Sequence, residues 1–386
     1  MRFFLIAGEP SGDRLGAHLM AGLRALAPGG ADFTGIGGAL MQQEGLQSLF
    51  PMEELSLMGL AEIVPKYLHL KRRIRETARS IADHPPDALI TIDSPDFCLR
   101  VAGLAKEFLP RLPAIHYVAP SVWAWRPGRA AKMAKVIDHV LALLPFEPPY
   151  MREAGMSCDF VGHPVVSEPV ATKAEALAFR DAHGIAPEAP LIVALPGSRQ
   201  GEVSRLLPPF GAVFRRLAEM HPELHVILPT PQHLAGQVAG SLRHWPGQPF
   251  ILPGPDVATR TRAFAAANVA LAASGTVSLE LAAQNCPMVI AYDMAPLTMW
   301  LMRRLIRVDS VTLVNLVSER LAVPEFIGGD LRPELVAKAL DDILQNGPGP
   351  QEDAMSITMA RLGRGGEPPG IRAARSVLAF LKRCAA

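Results

Sequence analysis

Asp93 and Asp96 stand just past a short apolar run, residues 88–92, in the segment Ile92-Asp-Ser-Pro-Asp-Phe97. If that run is a parallel strand, both carboxylates lie near its carboxyl end, where open α/β sheets bind ligands. Pro95 stiffens the turn and fixes where Asp96 points. A carboxylate so placed can take a proton from a hydroxyl nucleophile. Asp96 is therefore the candidate general base and Asp93 its hydrogen-bonding support; the plainer alternative is that one of them caps the next helix. The spacing is D-x-x-D, not the metal-chelating D-x-D of many sugar-nucleotide enzymes, and no metal site is expected.

A second group of residues suits anion binding. The run Leu191-Ile-Val-Ala-Leu195 leads into Pro196-Gly-Ser-Arg199. Gly197 lets backbone approach a ligand, Ser198 can donate, and Arg199 offers a planar fork to phosphate oxygens. A helix starting near Glu202 adds its positive end. Ser274, Gly275 and Thr276 follow another apolar run and offer small donors at a helix start. Glu280, one turn past Thr276 on the same face, can accept from ribose hydroxyls. Together these segments predict a nucleotide-diphosphate pocket, with a purely structural turn at 196–199 as the alternative. Neither segment is a P-loop.

The N-terminal segment Leu5-Ile-Ala-Gly-Glu-Pro-Ser-Gly-Asp-Arg-Leu-Gly16 is again a strand, a glycine turn and a helix. Ser11 there either caps the helix or, with Gly12 and Asp13, lines a ligand cleft. The glycine spacing is not G-x-G-x-x-G and no acidic residue ends the second strand, which argues against a dehydrogenase and its NAD. In His116-Tyr-Val-Ala-Pro-Ser-Val-Trp-Ala-Trp-Arg126, Ser121, Trp123 and Trp125 suit a sugar or lipid cleft. The alternative is a packing cluster, with His116 as a core histidine.

The elements that position these residues alternate strand and helix throughout, the α/β pattern. At 386 residues, two domains are expected. The paired glycine turns predict two Rossmann-like domains facing across a cleft: residues 1–168 for an acceptor, 169–350 for a nucleotide-bearing donor, and a helical tail, 351–386, packed on the first domain or a second subunit. A net charge of +1 speaks against nucleic-acid partners. The scattered Cys98, Cys158, Cys286 and Cys384 make disulfides and a zinc site improbable. The N-terminal apolar run is too short for a signal peptide, and no apolar stretch is long enough to span a membrane. Two segments combine apolar and basic residues in the manner of an interfacial helix, or of an ordinary amphipathic one. One carries Leu57, Met58, Leu60, Leu68 and Leu70 beside Arg72 and Arg73; the other carries Trp300 and Arg303.

These stretches closely resemble the lipid-A-disaccharide synthase family. The likeness rests on Ala7-Gly-Glu-Pro-Ser-Gly-Asp13, Gly35-Ile-Gly-Gly38, Ile92–Phe97, His116–Trp125, Leu144-Pro-Phe-Glu147, Phe160-Val-Gly-His-Pro164, Leu195–Arg199, Ser274–Thr276 and Leu313-Val-Asn-Leu316. It implies a glycosyltransferase B fold and inverting, metal-independent chemistry with no cofactor. The implied substrates are UDP-2,3-diacylglucosamine and 2,3-diacylglucosamine 1-phosphate; the products are UDP and a β-1,6-linked disaccharide 1-phosphate. It further implies a peripheral protein on the cytoplasmic face of the inner membrane, in some relatives a homodimer. By resemblance, Asp96 falls on the base, Arg199 on an essential phosphate-binding arginine, Asn315 on a functional asparagine near the donor and Asp87 on a sensitive aspartate. The chain departs from the pattern at Cys98, where relatives commonly carry Asn. A UDP-sugar epimerase of the same fold, or a nucleotide-binding scaffold without turnover, are the competing readings.

Overall fold

The computed structural model describes the backbone of residues 1–55, 60–295, 298–299, 304–306 and 308–385, with side chains except at 60–67 and 248. The chain divides into two compact units, Met1–Pro164 with Gly365–Ala386, and Val165–Arg364.

The first unit is built on seven parallel strands: β1 (Arg2–Ala7), β2 (Asp32–Ile36), β3 (Gln47–Ser48), β4 (Ala88–Ile92), β5 (Ala114–Tyr117), β6 (His139–Ala142) and β7 (Ser157–Phe160). Their order is β3-β2-β1-β4-β5-β6-β7. Strands β1 and β4 are nearly unbroken apolar runs because both faces are covered: Phe3 to Ala7 and Ala88 to Ile92 are all buried. Helix Pro10–Leu26 packs Leu15, Leu19, Met20 and Leu23 into the same core as Val101 and Ala105 of helix Pro95–Phe108.

The second unit repeats the plan with β8 (Leu191–Leu195), β9 (His225–Thr230), β10 (Gln248–Pro253), β11 (Val269–Ala272), β12 (Met288–Tyr292) and β13 (Glu325–Ile327), ordered β10-β9-β8-β11-β12-β13. Helix Gln200–Met220 buries Val203, Leu206, Phe210, Val213 and Phe214 against this sheet.

Strand order locates the sites. Sequence order reverses direction at β1/β4 in the first sheet and at β8/β11 in the second. Crevices open beyond the carboxyl ends of the strands at such switch points. The loop after β4 carries Asp93 and Asp96; those after β8 and β11 carry 196–199 and 273–276.

The apolar runs 88–92 and Leu191–Leu195 singled out in the sequence are strands β4 and β8. The expected tail 351–386 does not stay together. Helix Pro350–Arg361 belongs to the second unit: the Gln351 side-chain oxygen accepts from Met288 N–H at 2.9 Å and Thr358 Oγ1 donates to the Val314 carbonyl at 3.2 Å. Only helix Pro369–Ala385 returns to the first unit, where it packs on helix Pro10–Leu26. His139 Nε2 lies 2.8 Å from the Ser376 hydroxyl on that helix, and the imidazole stacks on Phe380 at 4.8 Å.

Candidate active site

In the first unit, Asp93 and Ser94 are consecutive left-handed residues, φ 49° and 43°. Such strain in non-glycine residues persists only where the surroundings enforce it, and it gathers at functional loops. Here Asp93 N–H donates to the Tyr117 carbonyl at 3.0 Å, bending the chain away from β4 into the helix that opens at Pro95. Neither aspartate caps that helix. Its N-cap is Ser94, without a side-chain cap bond, so Asp96 in the first turn stays exposed. Asp96 lines a cavity of about 520 Å³ with Leu99, Arg126, Arg129, Lys132 and Met133. Cys98 points away into the core, fully buried, with its thiol pushed up by burial; the departure from the family pattern therefore leaves the cavity untouched.

Other residues proposed for this end of the sheet do different work. Ser11 does not cap helix Pro10–Leu26, whose N-cap is Glu9 with Pro10 at its start. The carboxylate of Asp13 is buried and fully used: Gly38 and Met41 N–H donate to Oδ1 at 2.8 and 3.1 Å, and Leu40 N–H donates to Oδ2 at 3.0 Å. It anchors the turn after β2, and Gly38 is required because an added Cβ would lie 2.6 Å from Oδ2. Asp87 sits before β4, at the end of the strand opposite Asp96. There it accepts from Arg2 N–H at 2.7 Å and ties β1 to β4. It therefore lies apart from the Asp93–Asp96 group.

The tryptophan loop splits as well. Ser121 is exposed, and its carbonyl accepts from Ala124 and Trp125 N–H. Trp123 is a packing residue: its Nε1–H donates to Glu147 at 3.3 Å and its ring meets Phe146 edge-on at 5.1 Å. Trp125 instead carries the guanidinium groups of Arg126 and Arg129, 4.3 and 5.3 Å from its ring centre. His116 is a core histidine, 2.7 Å from Thr91 Oγ1, with its pKa pushed down to about 4 by burial.

In the second unit, the turns after β8 and β11 line one cavity of about 560 Å³, with Gly197, Ser198 and Arg199 on one side and Ser274, Gly275, Thr276 and Glu280 on the other. Gly197 has φ 111°, a conformation open to glycine and strained for other residues. Arg199 is 75% exposed and reaches Glu202 at 3.8 Å. Glu202 Oε2 also accepts from Ser198 N–H at 3.4 Å, so this carboxylate rests where an anionic ligand would meet the turn. Ser274 differs from expectation: its hydroxyl donates to the Val311 carbonyl at 3.1 Å, leaving only lone pairs for a ligand. Glu280 pairs with Arg260 at 3.0 Å. Arg260 is a cavity cation that sequence reading missed, since its helix, Val257–Ala266, carries no motif.

Asn315 lies outside this lining, beside a smaller cavity of about 290 Å³. Its amide is saturated: Nδ2 donates to the Val323 carbonyl and Glu325 at 3.0 and 3.2 Å, and Oδ1 accepts from Ala322 and Val323 N–H at 3.1 and 2.9 Å. Glu325 in turn accepts from Val311 and Thr312 N–H at 3.1 and 3.0 Å. Asn315 therefore reaches the 274–276 turn indirectly, through Glu325, the 311–312 backbone and Ser274.

The interfacial segments are partly described. Leu68 is 77% exposed, whereas Leu70 packs against the core. Arg73 is held by Glu54 at 2.7 Å and lies over Phe50, and this pairing depresses the Glu54 carboxyl to about 2. Leu70 and Arg73 therefore serve the fold, while Arg72 is exposed. Leu57, Met58, Trp300 and Arg303, and the Leu60 side chain, lie outside the described residues. Among the described residues, no helix is long and apolar enough to cross a membrane, and no cluster of three His, Cys, Asp or Glu could hold a metal ion.

Two parallel α/β units, with loops gathered at both switch points, place the molecule among the B-type glycosyltransferases in fold. Solved structures of that fold include an S. aureus MnaA–UDP complex, TM-score 0.65 at 13% identity over 100% of this chain and 96% of that one. Acinetobacter baumannii MurG aligns with TM-score 0.56 at 13% identity over 99% of each chain. The chain belongs to the lipid-A-disaccharide synthetase family, whose model matches residues 3–364. A lipid-A-disaccharide synthase of Ruegeria pomeroyi is 58% identical over 98% of this chain and 95% of its own length. One from Rhodospirillum centenum is 50% identical over 97% and 93%.

Proposed function

We propose that this enzyme transfers the diacylglucosamine unit of UDP-2,3-diacylglucosamine to 2,3-diacylglucosamine 1-phosphate, giving UDP and the β-1,6-linked lipid A disaccharide 1-phosphate. The observation that carries the reading, beside family membership, is the cavity shared by Gly197–Arg199, Ser274–Thr276, Arg260 and Glu280. It presents two cations, Arg199 resting on Glu202 and Arg260 on Glu280, and two glycine turns at one switch point, an arrangement suited to a diphosphate that draws the cations from those carboxylates. The UDP diphosphate meets the 197–199 turn, with Arg199 taking up the negative charge that grows as UDP departs. That role requires no metal ion. Glu280 holds the ribose.

The acceptor sugar enters the first-unit cavity. Asp96 removes the proton of its 6-hydroxyl while that oxygen attacks the anomeric carbon from the face opposite UDP. A single displacement inverts the centre, and no enzyme nucleophile takes part. Asp93 orients the loop that carries Asp96. The protein works from the cytoplasmic face of the inner membrane, held peripherally through exposed side chains such as Leu68 and Arg72.

Mass spectrometry of the products from the two purified lipid substrates tests the proposal. A disaccharide 1-phosphate with stoichiometric UDP is expected, unaffected by EDTA. No disaccharide, or a sugar epimer formed from a UDP-sugar alone, would refute it.

A further inference from the structure

The cavity that holds Asp96 is rimmed by three cations, Arg126, Arg129 and Lys132, above an apolar floor of Leu99 and Met133. Three positive charges against one carboxylate leave this small space with an excess of +2. Among the described residues none of the three cations forms an ion pair, although Arg73 and Lys106 in the same unit are each held by a carboxylate at 2.7 Å. Unpaired cations gathered at one cavity repel one another, an arrangement that an anionic ligand relieves.

The guanidinium groups are also pre-organised. Arg126 and Arg129 lie over the Trp125 ring at 4.3 and 5.3 Å. Stacking occupies the faces of a guanidinium and leaves its in-plane N–H groups for an anion. Arg129 and Lys132 stand three residues apart on helix Gly128–Met133, hence on one side of it. The cavity volume of about 520 Å³ falls in the range of small-molecule sites. The second unit has its own cations for a diphosphate, Arg199 and Arg260, so this cluster serves a different anion.

We infer that Arg126, Arg129 and Lys132 form the subsite that anchors the phosphomonoester of the acceptor, in the same cavity as Asp96. The inference rests on the function proposed above and adds how the enzyme selects a phosphorylated acceptor. A phosphomonoester carries a charge of about −1.5 to −2 at neutral pH and three acceptor oxygens, a match for two forks and an ammonium. Anchored there, the sugar presents its remaining hydroxyls to the carboxylate in the same space.

The test uses the full chain with the UDP-sugar donor and either 2,3-diacylglucosamine 1-phosphate or its dephosphorylated counterpart. Arg129→Gln and Lys132→Gln should each raise KM for the phosphorylated acceptor by about tenfold or more, the effect of one lost charge-assisted bond, without raising KM for the donor. The double variant should lower the preference for phosphorylated over dephosphorylated acceptor by about a hundredfold. Lys135→Gln, outside the cavity, should keep that preference. An unchanged preference in the double variant overturns the inference. Equal losses on both acceptors, as from a structural defect or lost contact with anionic lipid headgroups, overturn it too. If the wild-type protein makes no disaccharide, the functional proposal falls separately, and glucosamine 1-phosphate titrated with UDP saturating still decides. Binding that weakens about tenfold or more in the double variant supports the anchor; binding absent from wild type or equal in both proteins removes it.

Discussion

Replacing Glu147 by Gln should remove a pH-dependent penalty from the first unit. The Glu147 carboxyl is 4% exposed beneath the tryptophan loop. Leu143 and Leu144 N–H donate to its Oε2 at 3.1 and 2.9 Å, and Trp123 Nε1–H donates to Oε1. These bonds favour the charged form, but burial outweighs them and pushes the pKa from 4.5 up to about 7. The folded protein thus keeps a proton that the unfolded chain has already lost between those values. Stability falls as pH rises from about 4.5 through about 7 and then levels. At about 1.4 kcal/mol per unit, the charged side chain costs the fold about 3 kcal/mol above neutrality. The assay compares urea unfolding of wild type and Glu147→Gln at pH 5 to 8, followed by tryptophan fluorescence. It is paired with an NMR titration of the Trp123 indole N–H. The stability of wild type relative to the variant should decline across that range, and the indole signal should move with a midpoint near 7 in wild type and stay flat in the variant. A midpoint at or below 4.5, or a stability difference independent of pH, would refute the reasoning.

Asp96→Asn should lower kcat by about a hundredfold or more while UDP affinity measured by calorimetry is kept, the signature of a lost base. Arg199→Ala should weaken UDP binding by about tenfold to a hundredfold, the scale of one charge-assisted contact, with no change in unfolding midpoint because the side chain is largely exposed. Thr312 Oγ1 is buried with no hydrogen-bond partner among the described residues. Thr312→Val should therefore raise unfolding stability by about 1 kcal/mol in urea titrations, whereas a loss of that size would mean the hydroxyl is satisfied.

Much of the framework was legible in the chain. Phe3–Ala7, Ala88–Ile92 and Leu191–Leu195 are apolar runs bounded by turn residues, and that information is local: a buried parallel strand needs such a run whatever its neighbours are. The turns at Gly197 and Gly275 were legible for the same reason, since positive φ is a demand made by the backbone on one residue. Asp96 could be placed at a carboxyl end from its distance past β4 alone.

Strand order settled the rest. Asp13 resembled a cleft residue until β2 was laid beside β1, which brought Gly38 and Met41 N–H to its carboxylate from 25 and 28 residues away. Asn315 and Glu325 meet Ser274 only through a backbone segment packed between them. Arg260 and the Arg126–Arg129–Lys132 cluster had no motif to announce them, because a cation's significance lies in which charges surround it. The sequence by itself determined which segments are strands and which turns must be glycine. Tertiary packing decided which polar side chains are spent on neighbouring backbone and which remain free for a substrate, since hydrogen bonding depends on distances that sheet topology alone sets.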